Sequence, residues 1–294
     1  MQMLIRLPPE LAGWIAHNLE RGCAPDDVVQ AMRAQDFEPA VARGLVDAVV
    51  RSRREGLPAP RDEVAIQVDE PGYAYETPRL PPGPVIRTAD REVGVALRVE
   101  RPALAVLHSV LSAAECAEFI ALAGDRLRPS TVVDPATGRD VVASHRSSRG
   151  MFFRPAETPF VARIERRIAE IMNCPAAHGE GLQLLHYRPG AGSAAHFDFL
   201  MPGNAANDAS LARSGQRVSS LVMYLNDVER GGETVFPELG GLRVTPRAGH
   251  AVHFEYANSR GEVDLRSVHE AAPVEAGEKW VLTKWMRERP FVPA

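Results

Sequence analysis

Cysteine is scarce in this 294-residue chain, and the three present (Cys23, Cys116 and Cys174) are far apart and odd in number. That count argues against a disulfide framework, so a reducing, cytoplasmic setting is expected. Long apolar runs are missing too: no window reaches the length of a membrane span, and no membrane partner is expected. The opening stretch, MQMLIRLPPELAGWIAHNLERG, has none of the basic head, apolar core or small-residue cleavage site of a signal peptide. No lysine and arginine block stands out and net charge is −4, which argues against nucleic acid or a charged membrane surface as partner. Internal repeats and low-complexity tracts are likewise absent. What remains is ordinary for a soluble globular chain, with 45% hydrophobic and 24% charged residues. The length allows one large domain plus a small one.

Residues 1–57 read as a small helical module. Leu11, Trp14, Ile15 and Leu19 recur at helical spacing, and Gly22 follows as a stop. Pro25-Asp26-Asp27 suits a first helical turn, with Val28, Val29 and Met32 as its apolar face. A third helix runs through Val41, Leu45 and Val49 to the basic run Arg51-Ser52-Arg53-Arg54, a solvated helix end that complements the dipole. No chemical motif lies here; recruiting a protein partner and self-association are both open to the module. Residues 58–90 follow as a linker or strap. Pro58, Pro60, Pro71, Pro78, Pro81, Pro82 and Pro84 forbid a helix there.

From 91 to 294 the texture is strands and turns with two helices. Ser112-Ala113-Ala114-Glu115 is a capping box before Phe119, Ile120 and Leu122. Thr158-Pro159 opens a second helix with Val161, Ile164, Ile168 and Ile171 on one face. Short strands are expected at 182–185, 218–225, 242–244, 251–254 and 279–286, separated by Gly and Pro. This order predicts an α+β fold: a double-stranded β-helix (jelly-roll) core with supporting helices, behind the helical module.

The chemistry begins at His196-Phe197-Asp198. On a strand, side chains two apart share a face, so an imidazole and a carboxylate can aim at one point while Phe197 turns away. His269 adds a second imidazole from a distant strand. Two histidines and one carboxylate on one side of a metal leave positions open, the arrangement suited to non-haem iron(II) and oxygen. Open positions can take the carboxylate and ketone of 2-oxoglutarate, and another can take O2. Lys279, ten residues after His269 on the next predicted strand, would supply a cation for the distal carboxylate.

These residues resemble the prolyl 4-hydroxylase branch of the 2-oxoglutarate/Fe(II)-dependent dioxygenases. The resemblance covers roughly residues 100–294 and leaves out the first 57. It includes Arg146-Ser147-Ser148 with Gly150-Met151-Phe152, Glu180-Gly181-Leu182-Gln183, and the Tyr187-x-Pro189-Gly190 turn. It continues through Gln216-Arg217, Met223-Tyr224-Leu225, Gly231-Gly232-Glu233-Thr234-Val235-Phe236-Pro237 and Pro246-Arg247-x-Gly249-x-Ala251. The resemblance implies Fe(II) at His196, Asp198 and His269, with ascorbate as a candidate reductant. It implies hydroxylation coupled to 2-oxoglutarate decarboxylation, with succinate and carbon dioxide released. By the same token Tyr187 and Thr234 would stand beside Lys279 at the co-substrate. Arg146, Ser148, Glu180, Arg217 and Trp285 would line a peptide groove. The substrate would then be a prolyl residue of a peptide or protein.

Two positions depart from the family pattern. Ser193 stands three before the first ligand, where tyrosine is usual, and Arg287 stands two after Trp285, where histidine is common. A missing aromatic wall and an added cation would suit a free amino acid or other small anionic metabolite, the second reading. A third is a catalytically idle jelly-roll that only binds. Elsewhere, His186 is expected to face away from Tyr187, His253 to be packed, His250 to serve a turn, and Cys174 to be an inert thiol. Residues 201–215 read as a long polar loop poised as a lid over substrate.

Overall fold

Proline opens each of the first three helices of the computed structural model: α1 (Pro9–Glu20), α2 (Pro25–Arg33) and α3 (Pro39–Arg54). The ring costs nothing there, because first-turn N–H groups have no intrahelical acceptor. The structure describes residues 2–35, 37, 39–58, 60, 62–67, 73–129, 132–133, 140–141, 148–203 and 205–293. They fall into two units, Met1–Tyr73 and Ala74–Ala294.

In the first unit Ala12, Ile15, Val28, Val29, Met32, Leu45, Val46 and Val49 form one buried cluster. Trp14, expected on the apolar face of α1, is instead 42% exposed. The unit also holds strands that helical periodicity did not announce. β1 (Gln2–Leu7) pairs antiparallel with β2 (Asp62–Gln67), the latter inside the proline-dense stretch. A six-residue strand whose partner lies at the far end of the unit leaves little local signal.

The second unit is built on strands. In chain order they are β3 (Val85–Arg87), β4 (Glu92–Glu100), β5 (Ala103–His108), β6 (Arg128–Pro129), β7 (Val132–Val133), β8 (Asp140–Val141) and β9 (Arg149–Phe152). Then come β10 (Gln183–Tyr187), β11 (Ser193–His196), β12 (Arg217–Tyr224), β13 (Arg230–Gly231), β14 (Thr234–Phe236) and β15 (Leu242–Val244). The last are β16 (Ala251–Glu255), β17 (His269–Ala271), β18 (Val274–Ala276) and β19 (Lys279–Arg287). Helices α4 (Ala113–Ala123), α5 (Pro159–Ile171) and α6 (Ala205–Ser214) interrupt them.

Nine strands form an antiparallel sheet in the order β3-β4-β5-β16-β12-β19-β10-β9-β6, and four form a smaller one, β11-β17-β14-β15. Alternation decides what each face does. Leu184, Leu221, Met223, Leu282 and Met286 pack with Phe119 of α4 and Val161, Ile164 and Ile168 of α5. Their neighbours Leu185, Val222, Tyr224 and Phe254 instead share a cluster with Phe236 and Val244 of the small sheet. Two antiparallel sheets thus enclose one core while helices cover the outer face of the larger, the layering expected of a jelly-roll core with supporting helices.

Both expected helix starts are present. Ser112 accepts from the Glu115 N–H while the Glu115 carboxylate accepts from the Ser112 N–H, and Thr158 accepts from the Val161 N–H. Proline-rich residues 74–84 are pinned across the turn after β16. The Ala74 N–H donates to Glu262, the Arg79 N–H to Glu255, and the Ser259 N–H to Glu76. A buried ion cluster ties α5 to α4. The Arg167 guanidinium donates to Glu115 at 2.8 Å, to Asp90 at 2.6 Å and to the Val110 carbonyl at 3.0 Å. Burial pushes the Glu115 carboxyl up, but Arg167 and Arg163 outweigh it and hold it at about 2. Removing one partner of such a cluster strands the others. Arg167→Ala is therefore expected to lower the unfolding free energy by about 3 kcal/mol, read by urea denaturation.

Candidate active site

His196 closes β11 directly opposite His269, which opens β17, so cross-strand pairing sets the two rings 4.4 Å apart. Asp198 is not on the strand, as the spacing had suggested, but in the bend just beyond it. Two contacts with β12 hold that bend. The Ser220 hydroxyl donates to the Asp198 carboxylate at 2.6 Å, and the Arg217 guanidinium donates to the Asp198 backbone carbonyl at 3.2 Å. The carboxylate then lies 3.8 Å from Nε2 of each histidine, and one donor atom from each residue falls within 4.8 Å of the others.

Tautomers follow from the other ring nitrogen. Nδ1 of His196 is 2.9 Å from the Ala194 carbonyl, and Nδ1 of His269 is 3.1 Å from the Ser267 carbonyl. A carbonyl only accepts, so each Nδ1 carries the proton and each Nε2 lone pair faces the shared point. Burial drives His269 down to about 4, so its ring is neutral at pH 7. Burial works the other way on the Asp198 carboxyl. The rings of His269 and His196 and the Ser220 hydrogen bond overcome it and hold the group at about 2. Two imidazoles and a carboxylate fit a divalent first-row metal with open positions.

These residues line a cleft of about 1020 Å³ between the sheets. Lys279 opens β19 and is 2% exposed. It lies one strand further on than expected, because the short β18 intervenes. Burial lowers its ammonium to about 8, against which Glu233 pulls upward. Among the described residues it has no carboxylate or hydrogen-bond partner, only the rings of Tyr187 at 5.4 Å and Tyr224 at 5.7 Å. A buried ammonium so placed calls for an anion from outside the chain. Thr234 lines the same cleft and accepts from the Tyr224 hydroxyl at 2.8 Å, leaving its own proton free to donate. The site therefore has the chemistry for a carboxylate at its depth and a metal nearer its mouth.

The groove residues fare differently. Trp285 lines the cleft, and the Arg217 guanidinium lies 4.1 Å over its ring. Glu180 does not line the cleft. Buried behind it, Glu180 accepts from Arg217 at 2.7 and 2.8 Å and from Arg287 at 2.9 Å. Ser148 is buried just before β9 and is not a lining residue, and Arg146 lies outside the described residues. Arg287 is not the extra substrate cation its position suggested. It is 2% exposed and donates to Glu180, the Ser210 carbonyl and the Gly215 carbonyl. Residues 201–215 are likewise not simply a loop. They include α6, tied down by Arg287 and by Arg289 at the Leu211 and Ala212 carbonyls. Ser193 does line the cleft.

Sequence reasoning passed over Ser220 and Tyr256, and it quoted Tyr224 within a family motif without giving it a role. Ser220 lies 3.0 Å from the Tyr256 hydroxyl as well as on Asp198. Strand alternation from Val222 could have placed Ser220 and Tyr224 on the cleft-side face of β12, but only the tertiary fold shows what they touch. His186 faces away from Tyr187, as expected, stacked on Trp280 at 4.0 Å and bonded to Glu278 at 2.7 Å. His253 is fully packed, and burial lowers it to about 3.

The chain is similar in sequence to known proteins. The sequence profile of the 2OG-Fe(II) oxygenase superfamily matches residues 182–287. Prolyl 4-hydroxylase 1 of Arabidopsis thaliana is 41% identical over 202 residues, spanning 64% of this chain and 70% of the relative. Prolyl 4-hydroxylase subunit alpha-1 of Rattus norvegicus is 36% identical over 190 residues, 65% of this chain and 35% of that one. Among solved structures, the viral collagen prolyl hydroxylase of Paramecium Bursaria Chlorella virus-1 is 25% identical with a TM-score of 0.49, covering 63% of this chain and 95% of its own. The chain belongs to the prolyl 4-hydroxylase-like 2-oxoglutarate/Fe(II) oxygenases.

The Ser220 hydrogen bond generates a prediction. Without it the Asp198 carboxylate loses its orientation, and Ser220→Ala should weaken Mn(II) binding about tenfold in equilibrium dialysis. Equal affinity would mean that Ser220 plays no part in holding the metal.

Proposed function

We propose that the chain hydroxylates a prolyl residue of a peptide or protein, with His196, Asp198 and His269 as the iron ligands and Lys279 as the anchor of 2-oxoglutarate. The observation that carries this is the pairing of a three-donor cluster with a buried ammonium that has no carboxylate partner among the described residues, in one cleft. Iron and 2-oxoglutarate, when bound, supply the oxygenation: one atom of O2 enters the C–H bond and the other enters succinate, with carbon dioxide released. The chain's own residues bind and orient. Lys279 and the Thr234 hydroxyl hold the distal carboxylate, with Tyr187 as part of the wall. Ser220 aims Asp198. Glu180 acts through Arg217, which it fixes against Trp285 beside the path of the peptide. The similarity to proteins named prolyl 4-hydroxylases supports the choice of substrate. In this reading the first unit recruits the substrate protein or a second copy.

The deciding experiment incubates iron-loaded protein with 2-oxoglutarate and proline-containing peptides. A gain of one oxygen on proline, matched by succinate, is expected. It should be lost in His196→Ala and recovered in Lys279→Ala only at high 2-oxoglutarate. Succinate formation with another substrate class, and no oxygen gain on any peptide, would refute the prolyl reading.

Lys279 also sets a pH dependence. Its ammonium is charged below about 8 and increasingly neutral above it, and only the charged form attracts the carboxylate. The KM for 2-oxoglutarate should therefore stay flat at lower pH and rise as pH climbs past 8, with the bound anion moving the rise somewhat higher. Lys279→Arg should flatten the rise, because a guanidinium stays protonated.

A further inference from the structure

Most arginines at the sheet edge and behind the cleft have a carboxylate: Arg126 has Glu157, Arg217 and Arg287 share Glu180, and Arg163 and Arg167 share Glu115 and Asp90. Arg128 and Arg149 do not. Arg128 donates to the backbone carbonyls of Asp125 at 2.6 Å and Leu127 at 2.9 Å. Arg149 donates to the same Leu127 carbonyl at 3.0 Å. Two exposed guanidinium groups thus meet on one neutral oxygen, with no carboxylate partner among the described residues. Like charges held together this way repel each other and are relieved by an anion that accepts from both.

Their place in the sheet says where that anion comes from. β6 is the edge strand of the nine-stranded sheet. Register sets Arg128 opposite Gly150, Gly150 opposite Leu185, and Leu185 opposite Val281, so the four share one face. All four line the cleft, whereas Arg149, opposite Pro129 and His186 on the other face, meets Arg128 only at the Leu127 carbonyl of the sheet edge. Gly150 has no side chain, so the row is open from Leu185 out to Arg128. Phe152, 54% exposed, borders it and lies 6.5 Å from the Trp285 ring. The row crosses three inter-strand gaps, about 14 Å, which an extended chain spans in about four residues.

We infer that Arg128 and Arg149 determine substrate specificity by binding an aspartate or glutamate side chain of the peptide, about four or more residues from the proline that is modified. This rests on the prolyl reading above and narrows its substrate class to acidic peptides. Lying far from the reacting carbon, the pair acts on peptide affinity and not on the chemical step.

The test uses blocked alanine-glycine peptides with one central proline and one aspartate moved stepwise outward on either side, each paired with its asparagine twin. At one position four or more residues from proline, aspartate should lower KM about tenfold relative to asparagine, with kcat nearly equal. In Arg128→Glu/Arg149→Glu the ranking should invert, so that a lysine peptide is preferred over the aspartate one. Aspartate and asparagine peptides hydroxylated alike at every position would overturn the inference and leave the prolyl reading standing. An aspartate preference that persists in the double variant would overturn the assignment to these arginines. Hydroxylation of no peptide in either set would refute the prolyl reading and the inference with it.

Discussion

Strand alternation is the constraint on which the rest of the second unit depends. β19 is buried on both faces, yet its two faces do unlike work. Lys279, Val281, Thr283 and Trp285 look into the cleft, whereas Leu282, Lys284 and Met286 look toward the helices. A slip of one residue would exchange the two sets, taking Lys279 out of the cleft and putting leucine at the depth of the site. Register is held on both sides, by β12 and by β10. The helices behind the sheet therefore matter to chemistry they never touch: they pay for the burial that keeps the cleft side in step.

Charge is managed in small arginine-centred groups. Arg167 gathers Asp90 and Glu115, Glu180 is shared between Arg217 and Arg287, and Lys284 is paired with Glu165 at 2.6 Å. Each spans elements distant in sequence, and each is buried on at least one side, where a stranded charge would be costly. Among the described residues Lys279 has no such partner, and the His196–Asp198–His269 cluster sets a carboxylate between two imidazoles. Satisfied ions lie where the chain is architecture; unsatisfied ones lie where it meets other molecules.

The sequence was most legible where the chemistry is local. His196 and Asp198 are two residues apart, so their nearness was legible, although the bend and the β12 contacts that aim Asp198 were not. The Ser112 and Thr158 helix starts are complete within four residues. What escaped depends on register or on distant cover. Ser220 reaches Asp198 only through the path of β12, and Arg128 belongs to the cleft only because β6 is an edge strand. Arg287 follows Trp285 with the same spacing as the lining residues, but α6 and Glu180 cover it. α6 itself was missed because 201–215 has no apolar face to mark it. Its alanines, Ala205, Ala206, Ala209 and Ala212, carried a propensity signal that periodicity does not weigh.

The solitary ammonium of Lys279 has a thermodynamic consequence. Burying a cation without a carboxylate partner costs folding free energy, and if Lys279 anchors 2-oxoglutarate as proposed, the arriving dicarboxylate recovers that cost. By mass action a ligand at a hundred times its Kd adds about 2.7 kcal/mol to the stability of the folded state. The co-substrate is then also a structural component. On that assignment, low 2-oxoglutarate would cost this chain more than turnover, since a larger fraction of it would open and become accessible to proteases. The amount of folded enzyme, and not only its rate, would then follow the supply of the molecule it consumes.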